Sequence, residues 1–410
     1  MKRVAILLGI ASLLAAGGIG GRYAWLSWKY GPPPEWTGDM QVVAEGNNRF
    51  GFELYGKLSE SEKGNIFFSP YSIHTALGMT ATGAKGTTRD QMVKVLHLPE
   101  DEQKGLASGD LGRYYTHPRR HVELNVANAI WGQKGYGWHA EWLALQTERF
   151  GAGFQEADFQ TNPDAERQRI NQWVEEKTQK RIKELLRPGQ VTERTYMVLA
   201  NAIYFKGKWA EQFDPRKTQE APFHLGDGKA IQVPMMHGAP RCRIGHLEDV
   251  EVLELAYKGD ELSMVVILPA KRDGLPSIEK QLSAEALGKW MSALRDSKER
   301  PVSLPPFRIE SRFDLPPQLQ ALGMIDAFGD GIANFNGMRP GAGLCIGPVA
   351  HKAFVEVNEE GTEAAAATAV VMMKVSAPKT FEADHPFLFL IRDAKRGTIL
   401  FMGRVMNPKE

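Results

Sequence analysis

Four polar side chains with chemical potential stand in otherwise apolar segments of the chain: Ser69, Ser72, Asn201 and His351. A serine hydroxyl beside an imidazole could serve as nucleophile and general base in a hydrolase. The chain contains no Gly-x-Ser-x-Gly motif, however, and no acidic partner or oxyanion-hole motif accompanies these residues. Burying such groups unpaired would cost about 1–3 kcal/mol each, so we expect the four side chains to hydrogen bond to one another.

His117 and His121 also have a spacing that suggests chemistry, because two imidazoles four residues apart can bind one metal ion on a helix. Pro118 lies between them and would break that helix, and no acidic ligand is nearby. The chain also lacks His-Glu-x-x-His and the glycine-rich phosphate-binding motif. We therefore predict no metal site, no cofactor and no catalytic residue.

Strands are the first elements that must position these side chains. Residues 198–205 are apolar on both faces, which is typical of a central strand, and residues 122–130 alternate with a period of two, with Asn and Glu facing outward. Residues 252–257 and 262–268 predict a hairpin. Residues 302–313 predict a strand in spite of Pro305 and Pro306, which favour an edge or a bend.

Helices are predicted where a capping residue precedes a helical apolar pattern. Ser69 and Pro70 predict one helix start, and residues 88–91 resemble a capping box that opens a second helix. A long amphipathic helix is expected from Asn162 through Ile182, and another over residues 276–294. The chain is therefore predicted to be of the mixed α+β class.

One segment between two predicted strands has contradictory local preferences. Strands are expected over residues 349–357 and 386–391, but the connection between them is far longer than the roughly two to five residues of a usual hairpin. It is small and apolar, with four consecutive alanines that favour helix and a following Val-Val-Met-Met-Lys-Val that favours strand. Such a segment could be exposed in one state and buried as a strand in another; the alternative is a disordered, protease-sensitive surface loop.

Several motifs give the chain a family resemblance. Residues 359–366, Glu-Glu-Gly-Thr-Glu-Ala-Ala-Ala, resemble the hinge of the serpins, and Asp384 to Ile391 with Phe401 to Val405 resembles their C-terminal signature. The resemblance continues upstream, in the family's order, through residues 65–73, 83–88, 171–174 and 200–209. It covers roughly residue 41 to the end, so the chain is identified as a member of that family.

The resemblance implies a fold and a set of site residues. The expected fold is a single α+β domain with mixed, mainly antiparallel sheets, about eight to nine helices and an exposed reactive-centre loop at about residues 359–380. The family's spacing places the cleaved bond at Val375–Ser376, with Lys374 as the alternative reactive residue. The implied hinge residues are Glu359, Gly361, Thr362, Ala364, Ala366 and Thr368. Ser69, Ser72, Asn201 and His351 match the family's sheet-opening cluster, and Trp209 and Pro386 its breach region.

The implied activity is suicide inhibition of a serine protease, which would be trapped as a covalent acyl-enzyme. Val375 favours a protease with a small apolar pocket, of the elastase type, whereas Lys374 leaves a trypsin-like or subtilisin-like target open. The chain would then be a protease inhibitor and no enzyme. The alternatives are a non-inhibitory serpin-fold chaperone or binding protein and, less favoured because the motifs are missing, an exported hydrolase.

Composition narrows the partners further. The formal net charge is +1, which gives no reason to expect nucleic acid, and no Gly/Ser-rich linker divides residues 41–410, so we expect one domain and a monomer. The only cysteines are Cys242 and Cys345, which we expect to be unpaired and largely buried.

The N-terminus is predicted to be separate from the domain. Residues 1–30 carry Lys2-Arg3 before an apolar run over residues 4–21, followed by Trp25 and Trp28. This pattern fits either a cleaved signal peptide or an uncleaved membrane anchor. Residues 31–40 are then a proline-rich spacer. Both alternatives predict export, with the protein extracellular or in the cell envelope.

Overall fold

The computed structural model describes residues 34–117, 122–151, 153–297, 300–341, 343–362 and 380–410. Nine helices of six residues or more lie in these ranges, with one single-turn helix. They are α1 (Gly38–Ser61), α2 (Pro70–Ala81), α3 (Gly86–Leu96), α4 (Glu102–Gly105), α5 (Ala107–Thr116), α6 (Ala140–Phe150), α7 (Pro163–Lys177), α8 (Leu275–Gln281), α9 (Ala284–Ser292) and α10 (Pro316–Ala321).

Three sheets accompany the helices, and the six-stranded one is called the central sheet. Its strands, in spatial order, are β12 (Phe307–Asp314), β13 (Val349–Asn358), β14 (Gly361–Thr362), β4 (Met197–Lys208), β2 (Glu123–Gln133) and β3 (Phe154–Ala157). β13 also pairs directly with β4, in parallel. The fold is therefore α+β with mixed, mainly antiparallel pairing, as predicted.

The other two sheets complete the layers. The seven-stranded sheet has the order β1 (Ile66–Phe68), β17 (Ile399–Val405), β16 (Phe387–Asp393), β9 (Leu262–Pro269), β8 (Val250–Ala256), β7 (Cys242–His246) and β10 (Arg295–Ser297). The four-stranded sheet has the order β15 (Phe381–Glu382), β11 (Val302–Leu304), β6 (Ala230–Gly238) and β5 (Gln219–His224). The predicted hairpin of β8 and β9 and the bend at Pro305 and Pro306 are confirmed.

The buried side chains of β4 alternate between two cores. Ile203 and Phe205 pack toward the seven-stranded sheet, whereas Ala202 and Tyr204 pack under α7. Because both faces are covered, an apolar run without polar alternation is what this strand requires. Its prediction as a central strand is confirmed.

Three predicted elements have different bounds. The helix α3 begins at Gly86, and Thr88 and Gln91 do not cap it; the Thr88 hydroxyl accepts the Asn334 N–H and Gln91 Oε1 accepts those of Ile325 and Asp326. The prediction of a single helix over residues 276–294 was wrong. Ser283 Oγ accepts the Ala286 N–H at 3.1 Å and caps a second helix, α9. The predicted strand over 302–313 is divided into β11 and β12, which belong to different sheets.

The helix α7 ends at Lys177 rather than at Ile182. Gln179 and Lys180 have φ values of 52° and 62°, so the chain turns out of the helix there. Ile182 remains fully buried on the face of the central sheet, because the chain after the turn runs across that face. The apolar pattern therefore predicted the burial of Ile182 but not its conformation.

The first helix begins inside the segment predicted as a spacer. α1 starts at Gly38, Thr37 Oγ1 accepts the Met40 N–H at 3.2 Å, and Met40 is buried. Within the described residues no helix is long and apolar enough to cross a membrane. The predicted signal peptide or anchor, including residues 4–21, lies outside the described residues.

Candidate functional site: the gap in the central sheet

The central sheet is not uniformly paired along β4 and β13. Over one part of their length the two strands bond to each other directly, from Val349 opposite Leu199 to Phe354 opposite Tyr204. Beyond Phe354 they diverge, and β14 lies between them. Thr362 is opposite Gly207 of β4 and Val357 of β13, and both pairings are antiparallel. Gly361 and Thr362, two of the predicted hinge residues, thus form a strand of this sheet.

The docked hinge is buried. Glu360 is 5% exposed and Thr362 is 0% exposed, so the expected exposed loop does not begin at Glu359. Gly361 has a φ of 143°, and a Cβ on it would lie 2.2 Å from the carbonyl oxygen of Gly207. Only glycine fits this conformation and this close approach.

Backbone hydrogen bonds hold the two residues that precede β14. The Trp209 N–H donates to the Glu360 carbonyl and the Phe213 N–H to the Glu359 carbonyl, both at 2.8 Å. The Trp209 indole Nε1–H donates to the Asn358 carbonyl at 2.9 Å. Trp209, a predicted breach residue, therefore contacts the beginning of the hinge directly.

Tyr257 contacts the side chain of the last docked residue. Its hydroxyl lies 3.0 Å from Thr362 Oγ1, and its ring stacks on Trp209 with centroids 4.8 Å apart. Burial raises the pKa of Tyr257 far more than the hydrogen bond to Thr362 lowers it. The phenol therefore stays protonated at neutral pH. Sequence reasoning missed Tyr257, which only the pairing of Trp209 with Tyr257 brings to the hinge.

The Glu360 carboxylate is the least satisfied group of the docked hinge. Both of its oxygens are buried without a hydrogen-bond partner among the described residues, and the nearest charge is Lys208 Nζ, 3.8 Å from Oε2. Burial of a carboxylate with so little compensation opposes docking. The hinge is thus held by its backbone and by Thr362 against a penalty at Glu360.

The predicted polar cluster forms where β4 and β13 pair directly. Ser69, Ser72, Asn201 and His351 are all at most 1% exposed. The Ser69 N–H donates to His351 Nε2 at 3.2 Å, so Nδ1 carries the proton and donates to Asn201 Oδ1. Asn201 Nδ2 in turn donates to Ser72 Oγ at 2.5 Å. The expectation that these groups bond to one another is confirmed.

A fifth member of the cluster was missed. Asn128 of β2 lies opposite Asn201, accepts from Asn201 Nδ2 and from Ser72 Oγ through Oδ1, and donates to the Ser72 carbonyl at 3.1 Å. The alternation of β2 had placed its asparagines outward. No local pattern distinguishes Asn128, because only the register of β2 against β4 brings it into the cluster.

The geometry of the cluster disfavours serine nucleophiles. Ser69 Oγ donates to the Leu400 carbonyl at 2.6 Å and Ser72 Oγ donates to Asn128, and both hydroxyls are fully buried. Burial lowers the pKa of His351 to about 3, so the imidazole is neutral and satisfied on both nitrogens. The arrangement can hold β2, β4 and β13 together, but it offers no exposed hydroxyl to a substrate.

The remaining predicted residues are dispersed or outside the described part. Pro386 is buried just before β16 of the seven-stranded sheet, where it borders a cavity with Leu225 and Met406, whereas Trp209 follows β4. Ala364, Ala366, Thr368, Lys374, Val375 and Ser376 lie outside the described residues. So does His121, the partner of His117 in the rejected metal site.

Both cysteines are free thiols, as predicted, although only Cys242 is buried and Cys345 is half-buried. Burial raises the pKa of the Cys242 thiol to about 11; Arg300 lowers this pKa slightly and Glu211 raises it slightly. Burial also raises the pKa of the Cys345 thiol. Neither thiol is activated at neutral pH.

The fold and this gap in the central sheet define the class of protein. The model of the Serpin (serine protease inhibitor) family matches residues 45–408, and the chain belongs to that family. The human leukocyte elastase inhibitor is 40% identical over 90% of this chain and 100% of its own length. Uncleaved ovalbumin has a TM-score of 0.83 at 31% identity, and thyroxine-binding globulin complexed with thyroxine has 0.81 at 31%; each covers 90% of this chain and 99–100% of its own.

Proposed function

We propose that this serpin is a suicide-substrate inhibitor of serine proteases that traps its target after cleavage of the Val375–Ser376 bond. The observation that carries the proposal is the position of β14. Gly361 and Thr362 already occupy the gap between β4 and β13, and the connection that leads to the proposed cleavage site starts from this gap.

The register of β14 supports continuation of the same strand. If the register of β14 continued along β4 and β13, Ala364 would lie opposite Phe205 and Val355. Thr368 would then lie opposite Asn201 and His351. Asn201 and His351 already lie opposite each other in the parallel pairing of the two strands. Both flanking strands therefore offer consistent partners, and the inserted strand would separate Asn201 from His351 in the polar cluster.

The proposed reaction begins as ordinary proteolysis. The protease serine attacks the Val375 carbonyl carbon, the bond to the Ser376 nitrogen breaks, and the new amine leaves with the proton that the catalytic histidine delivers. Val375 remains as an acyl ester on the protease. The cut releases the segment before Val375 from its distal attachment at Phe381, so it can enter the sheet while it carries the protease.

Insertion is favourable because it completes a strand between two others. Each added residue gains backbone partners on β4 and β13, and the small alternate residues Ala364 and Ala366 fit a covered face. The native protein would then be a kinetically trapped state whose inserted form is the more stable one. An acyl-enzyme displaced in this way loses the geometry that deacylation requires.

The target class follows from the residue before the cut. Val375 fits a small apolar specificity pocket, and the 40% identity with a leukocyte elastase inhibitor agrees with an elastase-like target. Lys374 would direct a basic-specific protease if the cut lay one residue earlier. Export by residues 1–30, as a signal peptide or as an anchor through residues 4–21, and a monomeric extracellular form belong to the same proposal.

The test is incubation with elastase, chymotrypsin, trypsin and subtilisin, followed by SDS gels and mass spectrometry of the released peptide. We expect an SDS-stable complex with elastase and a peptide that begins at Ser376. A peptide that begins at Val375 would move the target to a basic-specific protease. Cleavage without any complex would instead support a non-inhibitory binding protein.

A substitution at Thr362 tests the insertion step itself. Thr362→Arg places a charge at a fully buried position, which costs several kcal/mol, so the variant should be cleaved as a substrate without forming a complex. Thr362→Ser keeps the hydroxyl and serves as the matched control. If Thr362→Arg still forms an SDS-stable complex, insertion is not the mechanism of this chain.

A further inference from the structure

The helices α2, α3, α4 and α6 enclose a cavity of about 110 Å³, called the helical cavity. Its apolar lining consists of Ala81, Val93, Leu98, Pro99, Leu106 and Leu145. An apolar cavity of about 150 Å³ in another protein binds benzene. The helical cavity therefore suits a molecule with a single ring, part of which protrudes toward solvent.

A fully buried glutamine beside the helical cavity has an oxygen without a partner. Gln146 of α6 is 0% exposed, and its Nε2 donates to Oγ1 of Thr82, a lining residue, at 3.0 Å. The Thr82 hydroxyl itself donates to the Met79 carbonyl at 2.7 Å, so it can only accept from Gln146. This fixes the orientation of the amide and leaves Gln146 Oε1 without a hydrogen-bond partner among the described residues.

A buried serine provides a second polar group of this kind. Ser108 of α5 is 1% exposed, and its hydroxyl also has no hydrogen-bond partner within the part of the chain that the structure describes. The hydroxyl lies against the lining residue Gly78, since a Cβ on Gly78 would be 3.3 Å from Ser108 Oγ. A buried polar group without a partner is costly, so both atoms favour a ligand that can bond to them.

The side of the helical cavity that faces solvent is covered by a weakly held segment. The single turn α4 has no buried residue. Its Glu102 pairs with Arg89 of α3, with 3.0 Å between Oε1 and Nε, but the Glu102 side chain is 59% exposed. Such an exposed ion pair contributes little to stability. A small molecule can therefore enter by displacing α4, without disturbing the core.

We propose that the helical cavity is a binding site for a small, neutral aromatic molecule that carries one hydroxyl group, of which phenol is the simplest. The ring would lie among the apolar side chains, and the hydroxyl would donate to Gln146 Oε1 or accept from Ser108 Oγ. A carboxylate has no proton to donate to Gln146, and an ammonium group cannot accept from Ser108. The site is separate from the gap in the central sheet, and binding requires neither a protease nor loop insertion.

The test is an NMR titration of the native full-length protein with phenol and with toluene, in which a methyl group replaces the hydroxyl. We expect phenol to bind with a Kd on the order of 0.1 mM, about tenfold more tightly than toluene. The double variant Gln146→Met with Ser108→Ala removes both polar groups and should abolish this preference, while toluene still binds. Equal affinities of the two ligands for the native protein would overturn the proposal.

Variants with a filled cavity test the location of the site. Ala81→Leu adds an isopropyl group to the lining and should abolish binding of both ligands. Leu145→Phe, at a half-buried position of the lining, serves the same purpose if Ala81→Leu does not fold. Ala284→Leu, the same substitution at an exposed position of α9, is the control and should leave both affinities unchanged. Phenol binding that persists when the cavity is filled would contradict the proposal.

Discussion

The two ends of the segment that carries the proposed cleavage site are attached in different ways. At its proximal end, Glu359 and Glu360 form the turn after β13, and Gly361 and Thr362 lie between β13 and β4 of the central sheet. Its distal end, Phe381–Glu382, is the edge strand β15 of the four-stranded sheet and pairs with β11 alone. The proximal end can therefore grow into a longer strand with partners on both sides, whereas the distal end cannot.

Charged side chains hold the distal end in addition to its short pairing with β11. Asp384 accepts from Arg272 Nη2 at 2.9 Å, and its other oxygen lies 2.7 Å from His385 Nδ1. His385 Nε2 lies 2.9 Å from the Pro269 carbonyl, at the end of β9. Burial alone would raise the pKa of Asp384, but His385 and Arg272 outweigh it, so this pKa lies below its usual value. The distal end is held by an electrostatic anchor.

Gly361→Ala should break the proximal attachment most strongly. The new Cβ would meet the Gly207 carbonyl and the Lys208 backbone at a φ that L-residues rarely adopt, which costs about 3 kcal/mol or more. We expect amide exchange of residues 361 and 362 to lose its protection. Gly56→Ala is the control, because a Cβ there has open space within α1. Retained protection in Gly361→Ala would contradict this account of the docked hinge.

Acid should weaken the centre of the sheet before it weakens the distal anchor. The pKa of His351 is lowered by burial to about 3, so below pH 6.5 the unfolded chain takes up a proton that the folded chain refuses. Stability should fall between pH 6.5 and 3, by about 1.4 kcal/mol per pH unit for this group. The contribution of Asp384 is present above its unfolded pKa and is lost only as pH falls below about 4.

Urea denaturation as a function of pH measures this difference. His351→Gln should have a shallower slope between pH 6.5 and 4.5, whereas Asp384→Asn should not change the slope there. His74 is also buried, with its pKa lowered to about 4, and contributes in the same window in both variants. An unchanged slope in His351→Gln would contradict the neutral state assigned to this imidazole.

Asp384→Asn should loosen the distal end alone. The variant loses the charged contacts with Arg272 and His385 in a half-buried setting, a loss of about 1–2 kcal/mol. Amide exchange of Phe381 and Ala383 should accelerate while that of Thr362 stays unchanged. Asp227→Asn, which loses an exposed pair with Lys229, is the control. Equal acceleration at Thr362 would show that the two ends are not independent.

Tyr257→Phe should destabilise the docked hinge least, by about 1 kcal/mol. It removes one hydroxyl and leaves Thr362 Oγ1 without that partner. We expect faster exchange of the Thr362 amide with little change at Phe381. The double variant Tyr257→Phe with Thr362→Val removes both hydroxyls and should recover most of the protection. A double variant that is as labile as the single one would assign the effect to packing.

The strands that surround the gap could be predicted because their signals are local. Residues 198–205 are apolar on both faces, and residues 349–357 contain three valines and a phenylalanine, so β4 and β13 could be predicted from the local sequence pattern. The polar cluster also followed, because buried polar groups need partners. These inferences required no knowledge of register.

The features that escaped prediction depend on contacts between distant segments. Asn128 belongs to the cluster only because β2 pairs with β4 in one register. Docking of Gly361 and Thr362 depends on the approach of Gly361 to the backbone of Gly207 and Lys208, where a Cβ on Gly361 would not fit. The end of α7 depends on Gln179 and Lys180, two non-glycine residues whose positive φ values have no sequence signature.

Trp209 gives the hinge a built-in optical reporter. Its indole is 3% exposed, stacks on Tyr257 at an angle of 12°, and donates to the Asn358 carbonyl beside the docked residues. Release of Glu359–Thr362 would expose this indole to water, whereas extension of β14 beside it would keep it buried. The emission of one tryptophan could therefore follow the movement of the hinge in real time, without a label, once the other eight are replaced or subtracted.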